Sequence, residues 1–155
     1  FKMSKILSYI NHNKGIFKLV KRNFSFKASD LIFEENKDLF VKPDYSQPLQ
    51  FGKFHSDYML EIDHNIKDGW GKPIISRFKN FNIDPRNQSL HYAMQLFEGM
   101  KAYRNKNGKL YLFRPELNMQ RMRNSAKRIG FPDFDGEEFI KLLSELVKVE
   151  KEWIK

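Results

Sequence analysis

The sequence predicts an α+β fold, antiparallel strands packed with helices, and three observations carry that reading. Two runs of strand composition, Tyr58-Met59-Leu60-Glu61-Ile62 and Pro73-Ile74-Ile75-Ser76-Arg77-Phe78, flank the turn-rich Lys67-Asp68-Gly69-Trp70-Gly71. Residues 100–104 and 109–113 flank Asn105-Lys106-Asn107-Gly108, whose Asn-Gly pair can take the positive backbone angles of a tight reversal. Two segments of helical spacing follow, each with its own start signal. With 155 residues, 41% of them apolar and 15% aromatic, the chain can fill one core.

The front of the chain carries the charge. Residues 1–29 hold seven Lys or Arg and no acid, which leaves 21 basic against 19 acidic side chains in the rest of a chain whose net charge is +9. With Ile6, Leu7, Tyr9, Ile10, Ile16, Phe17, Leu19 and Val20 among the lysines, and Ser4, Ser8 and Ser25 beside them, this segment can form a basic amphipathic helix. We read it as a mitochondrial targeting leader in preference to a disordered basic tail or translated upstream sequence, so the mitochondrial matrix is expected over the cytoplasm. Leu31 to Pro48 is irregular, with Pro43 and Pro48 and mixed charge. Residues 1–50 therefore read as leader and linker and 51–155 as the folded domain, with order starting near Phe51.

Beyond the hairpin, Pro115 suits a first helical turn, Glu116 complements the positive helix end, and Gly130 and Pro132 mark a stop, so a helix is predicted over 115–129. A last helix starts at Asp135, which with Glu138 resembles a capping box. Phe139, Leu142, Leu143, Leu146 and Trp153 follow at helical spacing, and no Gly or Pro arrives before Lys155. The domain is accordingly expected to be incomplete at its carboxyl end.

Several function classes fall away. No run approaches the ~20 apolar residues of a membrane span. Cysteine is absent, the four histidines are scattered, and only His64 has an acid, Asp63, immediately beside it, so no metal site is expected. Phosphate-loop, dinucleotide-turn and nucleophile-elbow motifs are missing. The basic front lacks stacking aromatics or a glycine-arginine repeat, so no nucleic-acid partner is expected.

The densest stretch is Leu90-His91-Tyr92-Ala93-Met94-Gln95-Leu96-Phe97-Glu98-Gly99-Met100-Lys101-Ala102-Tyr103. By residue type alone, Tyr92 and Phe97 are more often core aromatics than ligand contacts, and Gly99 more often serves backbone geometry. The run resembles the signature of branched-chain amino-acid aminotransferases, of the class IV pyridoxal-phosphate-dependent family. So do Gly69-Trp70-Gly71-Lys72-Pro73 upstream, and Leu112-Phe113-Arg114-Pro115, Leu117-Asn118-Met119 and Arg121-Met122 downstream. The resemblance covers roughly residues 51–153. Arg77, Asp84 and Tyr58 depart from residues common in the family, and they read as surface or strand-end changes.

The resemblance implies the small domain of a fold type IV aminotransferase, stopping before the large domain. It implies pyridoxal 5'-phosphate as cofactor, with Arg121 on its phosphate, since a planar guanidinium can grip phosphate oxygens with two hydrogen bonds. By residue pattern alone Arg121 is a surface arginine bordering the apolar face of its helix. Phe51, Tyr92 and Phe97 correspond to walls of the family's substrate pocket, where each buried methylene of leucine, isoleucine or valine is worth ~0.8 kcal/mol. The family's Schiff-base lysine lies beyond residue 155, so no catalytic residue is expected in this chain, and Lys101 is a strand lysine. The implied reaction of the full-length family member converts leucine, isoleucine and valine with 2-oxoglutarate to branched-chain 2-oxo acids and glutamate, in a homodimer. These 155 residues by themselves are expected to bind cofactor weakly at best and not to turn over. Two alternatives stand beside this: a related class IV enzyme acting on D-amino acids or aminodeoxychorismate, and a non-catalytic small domain that docks through an exposed face at Leu143, Leu146 and Trp153.

Overall fold

A computed structural model describes residues 25–154 of the chain; the leader reading of residues 1–24 lies outside the described residues. The central sheet has the order β1 (Ile32–Phe33), β5 (Ile74–Arg77), β2 (Tyr58–Glu61). β2 runs antiparallel to β5 with Leu60 opposite Ile75, as the two apolar runs predict. β1 departs from the prediction by pairing parallel to β5, with Ile32 opposite Ile74. Between the two predicted strands the chain adds a small hairpin, β3 (His64–Asn65) and β4 (Gly69–Trp70), where only a turn was expected. The Asn65 side chain closes it, accepting from the amides of Lys67 and Asp68 at 3.0 and 2.7 Å.

A five-residue helix, α1 (Gln88–Tyr92), precedes the hairpin β6 (Ala102–Arg104) and β7 (Leu110–Leu112). Asn105, not Asn107, organises that reversal. Its side-chain Oδ1 accepts from the amides of Asn107 and Lys109 at 3.0 and 2.9 Å, and Gly108 alone in the loop takes a positive φ, +78°. Then come α2 (Pro115–Arg128) and α3 (Gly136–Val149). α2 stops as its sequence predicts: Gly130 at φ +76° lets the Phe131 amide return to the Ala126 carbonyl and its own to that of Lys127, which satisfies the carbonyls of the last turn.

Asp135 caps α3 by accepting from the amides of Glu137 and Glu138. The predicted capping box is not completed, because Glu138 reaches instead to the Ala28 amide at 2.6 Å and Lys141, while the Asp135 amide donates to the Ser25 hydroxyl at 2.8 Å. α3 also ends at Val149, and Trp153 lies in a separate 3-10 turn, Lys151–Trp153, off the helical stripe. The Glu150 carboxylate accepts the Tyr58 amide and the Trp153 indole donates to Asp57 at 2.8 Å, contacts that a continued helix would forfeit.

The core is built around Phe26, Met119, Phe134 and Leu142. Phe26 lies edge-on to Trp70 and Phe139, with centroids 5.3 and 5.7 Å away, and stacks on Phe134 at 6.0 Å. Packed order thus begins at Phe26, well before Phe51. Burying one large aromatic and pairing β1 with β5 outweighs the loop-like composition of residues 31–48. Gly136 lets α3 approach α2 closely, since an added Cβ would sit 3.1 Å from that of Met119. Leu143 packs against the core and Leu146 and Trp153 are half-buried, so these three do not form an exposed docking face. Among the described residues no helix is long and apolar enough to cross a membrane.

At the opposite end of the sheet, two buried carboxylates meet. Asp57 accepts from the Phe40 amide, from the Lys42 ammonium at 2.5 Å and from Trp153. Burial pushes its pKa up, but these hydrogen bonds outweigh burial and hold it below the usual carboxylate value. Glu150 is shifted the other way, raised by burial against the amides it accepts. Of the three residues that depart from the resembled pattern, Tyr58 lies at this joint. Tyr58 is a strand-end residue but not a surface one, for it is buried and its hydroxyl accepts the Asn36 amide at 3.0 Å, whereas Arg77 and Asp84 are exposed and paired with Asp38 and Arg86.

A carboxyl whose folded-state pKa is raised contributes most below its ordinary value and loses that contribution as pH rises through the raised one. Glu150→Gln keeps an acceptor for the Tyr58 amide and cannot ionise. We expect thermal unfolding measured from about pH 4 to 7 to show a declining contribution in the parent that is absent in the variant; an unchanged decline would assign it to another group.

Candidate functional site

The signature stretch is held against α2 by one carboxylate and one amide. Glu98 Oε1 accepts from Arg121 Nη2 at 2.6 Å and from Asn118 Nδ2 at 2.8 Å, and its Oε2 accepts from Arg121 Nε at 3.1 Å. Asn118 also donates to the Gly99 carbonyl at 2.6 Å. Asn118 and Arg121 are three apart on α2 and so share a helix face. The carboxylate side chain is 13% exposed and the guanidinium side chain 60%. Hydrogen bonds from Arg121 and Asn118 lower the Glu98 pKa, and the same contact with Glu98 raises that of Arg121, so both are charged across the neutral range.

Local backbone geometry sets up this contact. Asn87 caps α1 by accepting from the Ser89 amide, and Ala93 leaves the helix in the left-handed region at φ 51°. Arg114, before Pro115, takes φ 48° at the join into α2. These are the two non-glycine residues with positive φ among the described residues. Such a residue costs roughly 1–2 kcal/mol and persists only where its surroundings impose it.

The predicted site residues separate into two groups. Arg121 lies at the centre of the contact with Glu98. Phe51 is fully exposed, Phe97 is 90% exposed and Tyr92 77%, so the described residues do not close an aromatic pocket around them. Phe97 covers Gly99, where an added Cβ would be 3.5 Å from its ring. A cleft between α2 and α3, lined by residues such as Glu116, Arg123, Asn124 and Asp133, includes none of these aromatics. Lys101 is exposed at the foot of β6. Sequence reasoning missed Glu98 and Asn118 as partners of Arg121, although the opposite charges of Glu98 and Arg121 and the helical spacing of 118 and 121 were signals.

The chain is 45% identical to the mitochondrial branched-chain-amino-acid aminotransferase of Rattus norvegicus over 130 residues, 84% of this chain and 33% of that protein. It is 47% identical to the branched-chain-amino-acid aminotransferase of Dictyostelium discoideum over 127 residues, 82% of this chain and 34% of that protein. Against the cytosolic protein of Rattus norvegicus the identity is 45% over 130 residues, 84% of this chain and 31% of that protein. The chain spans about a third of the length of these curated relatives, which include both mitochondrial and cytosolic proteins. No family model matches it.

Removing the Asn118 amide deprives the Gly99 carbonyl of its protein donor and leaves it to water. Asn118→Ala should therefore cost about 0.5–1.5 kcal/mol in chemical denaturation and increase hydrogen exchange at residues 97–101. Unchanged exchange there would show that Asn118 does not fasten the stretch.

Proposed function

From the chain's homology to the branched-chain-amino-acid aminotransferases, which extends over 84% of its length, we propose that the whole protein transfers the amino group of leucine, isoleucine and valine to 2-oxoglutarate. The products are branched-chain 2-oxo acids and glutamate. The cofactor is pyridoxal 5'-phosphate, and this chain supplies the arginine for its phosphate and an aromatic wall for the substrate.

The observation that carries this reading is the state of Arg121. Its Nε and one Nη2 hydrogen are committed to Glu98, while Nη1 and the other Nη2 hydrogen have no partner among the described residues. A guanidinium edge with two parallel N–H groups, exposed yet held, fits a phosphate end-on. When bound, pyridoxal phosphate supplies the electron sink that acidifies the amino acid's α-hydrogen and stores its nitrogen between half-reactions. The residues of this chain bind and orient: Arg121 takes the phosphate, while Phe51, Tyr92 and Phe97 offer hydrocarbon surface that discriminates branched aliphatic side chains by apolar burial. Their exposure supports a wall that other parts of a homodimeric protein complete. The signature run Phe97 to Tyr103, in its branched-chain form, favours these substrates over D-amino acids or aminodeoxychorismate. The basic, acid-free front favours the mitochondrial matrix.

Mass measurement of the native gene product, with transamination assays on it, tests the proposal. A product longer than 155 residues that transaminates leucine, isoleucine and valine is expected. In it, Arg121→Gln should weaken pyridoxal-phosphate binding roughly 10- to 100-fold, the loss expected for hydrogen bonds between charged groups. A native 155-residue product without such activity overturns the assignment. Residues 3–40 fused to a fluorescent reporter should enter mitochondria, and a purely cytosolic signal would defeat the targeting reading.

A further inference from the structure

We propose that Glu98 is a positioning residue, which together with Asn118 presets the Arg121 guanidinium to receive the phosphate of the cofactor. This rests on the reading of Arg121 as the phosphate arginine and adds a role for two residues outside that reading. Arg121 is a long side chain with 60% of its surface exposed, and unrestrained it would sample many rotamers. The Glu98 carboxylate takes its Nε/Nη2 edge through two hydrogen bonds of 3.1 and 2.6 Å. Because a guanidinium is planar and rigid, fixing one edge fixes the other, here the Nη1/Nη2 edge that remains free.

Glu98 is itself fixed. The buried Asn118 amide donates both to its Oε1 and to the neighbouring Gly99 carbonyl, so the carboxylate cannot swing away without breaking a contact that also anchors its own backbone. Asn118 and Arg121 both belong to α2, and Phe97 packs over Gly99. The phosphate grip and the neighbouring aromatic are thereby held in register by the same contacts.

Loss of the Glu98 carboxylate separates orientation from simple electrostatics by the sign of its effect. Removing an anion beside an anion-binding arginine should tighten anion binding if Coulomb attraction decided the outcome. If orientation decides it, removal should weaken binding, because the guanidinium must then be ordered when the anion arrives. Ordering one rotamer-rich side chain corresponds to roughly a 3- to 10-fold loss of affinity.

The test uses the full 155-residue chain, isotopically labelled, with the backbone amides of Glu98, Gly99 and Asn118 and the Arg121 Nε–H followed by NMR. Inorganic phosphate, pyridoxal phosphate and pyridoxal are added in separate titrations. In the parent chain the two phosphate-bearing probes should shift these signals saturably and pyridoxal should not. Glu98→Ala should weaken phosphate and pyridoxal-phosphate binding roughly 3- to 10-fold. Glu98→Gln, whose amide oxygen still accepts from Arg121, should lose less. Binding as tight as the parent's or tighter in Glu98→Ala, with Arg121→Gln abolishing it, overturns the positioning role and leaves the phosphate reading intact. Binding unaffected by Arg121→Gln, or no phosphate-dependent shift even in the full-length protein, overturns both. If circular dichroism shows Glu98→Ala to be unfolded, Glu98→Gln decides, and affinity equal to or above the parent's overturns the inference.

Discussion

Burial of Met119 among Phe26, Phe134 and Leu142 fixes the rotation of α2, and the candidate site depends on that angle. Each fully buried side chain of this kind is worth about 1.5–3 kcal/mol, so the helix cannot turn about its axis without losing the core. The same rotation places Asn118, one residue earlier, against Glu98 and Gly99, and puts Arg121 one turn further along the same face. Gly136 permits the close α2–α3 approach that seats Met119. The Phe26 ring, contributed from far upstream, closes the cluster. The apolar packing and the polar contact are two faces of one helix setting.

Three acids taken partly or wholly out of water are each handled differently. Glu98 meets an arginine and an amide and is held in its ionised form. Asp57, more deeply buried, is satisfied by an ammonium, an indole and a backbone amide, and burial loses to these donors. Glu150 accepts backbone amides with Asp57 close by, and burial wins. The last two form the joint between residues 40–42, the start of β2 and the end of α3. An acid whose donors come from segments other than its own, as those of Asp57 come from residues 40–42 and from Trp153, specifies the meeting of those segments more sharply than apolar contact would, because an unpaired acid there carries the full desolvation penalty.

What was legible in the sequence was local. The apolar runs of β2 and β5, the hairpin at Gly108, the proline start and glycine stop of α2 and the Asp135 cap are each decided by residues within a few positions of one another, and all stand in the structure. What was not legible depended on distant partners. Phe26 reads as one more apolar residue in a basic leader until the rings of Trp70, Phe134 and Phe139 surround it. Glu138 reads as half of a capping box until the Ala28 amide competes for it. Trp153 continues a helical stripe on paper, but Asp57 draws its indole elsewhere. In the candidate site, Arg121 was named by resemblance, while its pairing with Glu98 is a tertiary contact that helical periodicity does not encode.

The contact between Glu98 and Arg121 brings little stability to the fold. An ion pair with an exposed member contributes little in water, and the left-handed Ala93 and Arg114 that frame the stretch offset that contribution. Nor does the region bury apolar surface to compensate, for Tyr92 and Phe97 stand largely in solvent. Order maintained for little return in folding energy, around a cation with one edge left free, suits the unliganded state of a binding site. The core around Met119 supplies the rigidity, and the Glu98 and Asn118 contacts transmit it to Arg121, the side chain we propose for the cofactor phosphate.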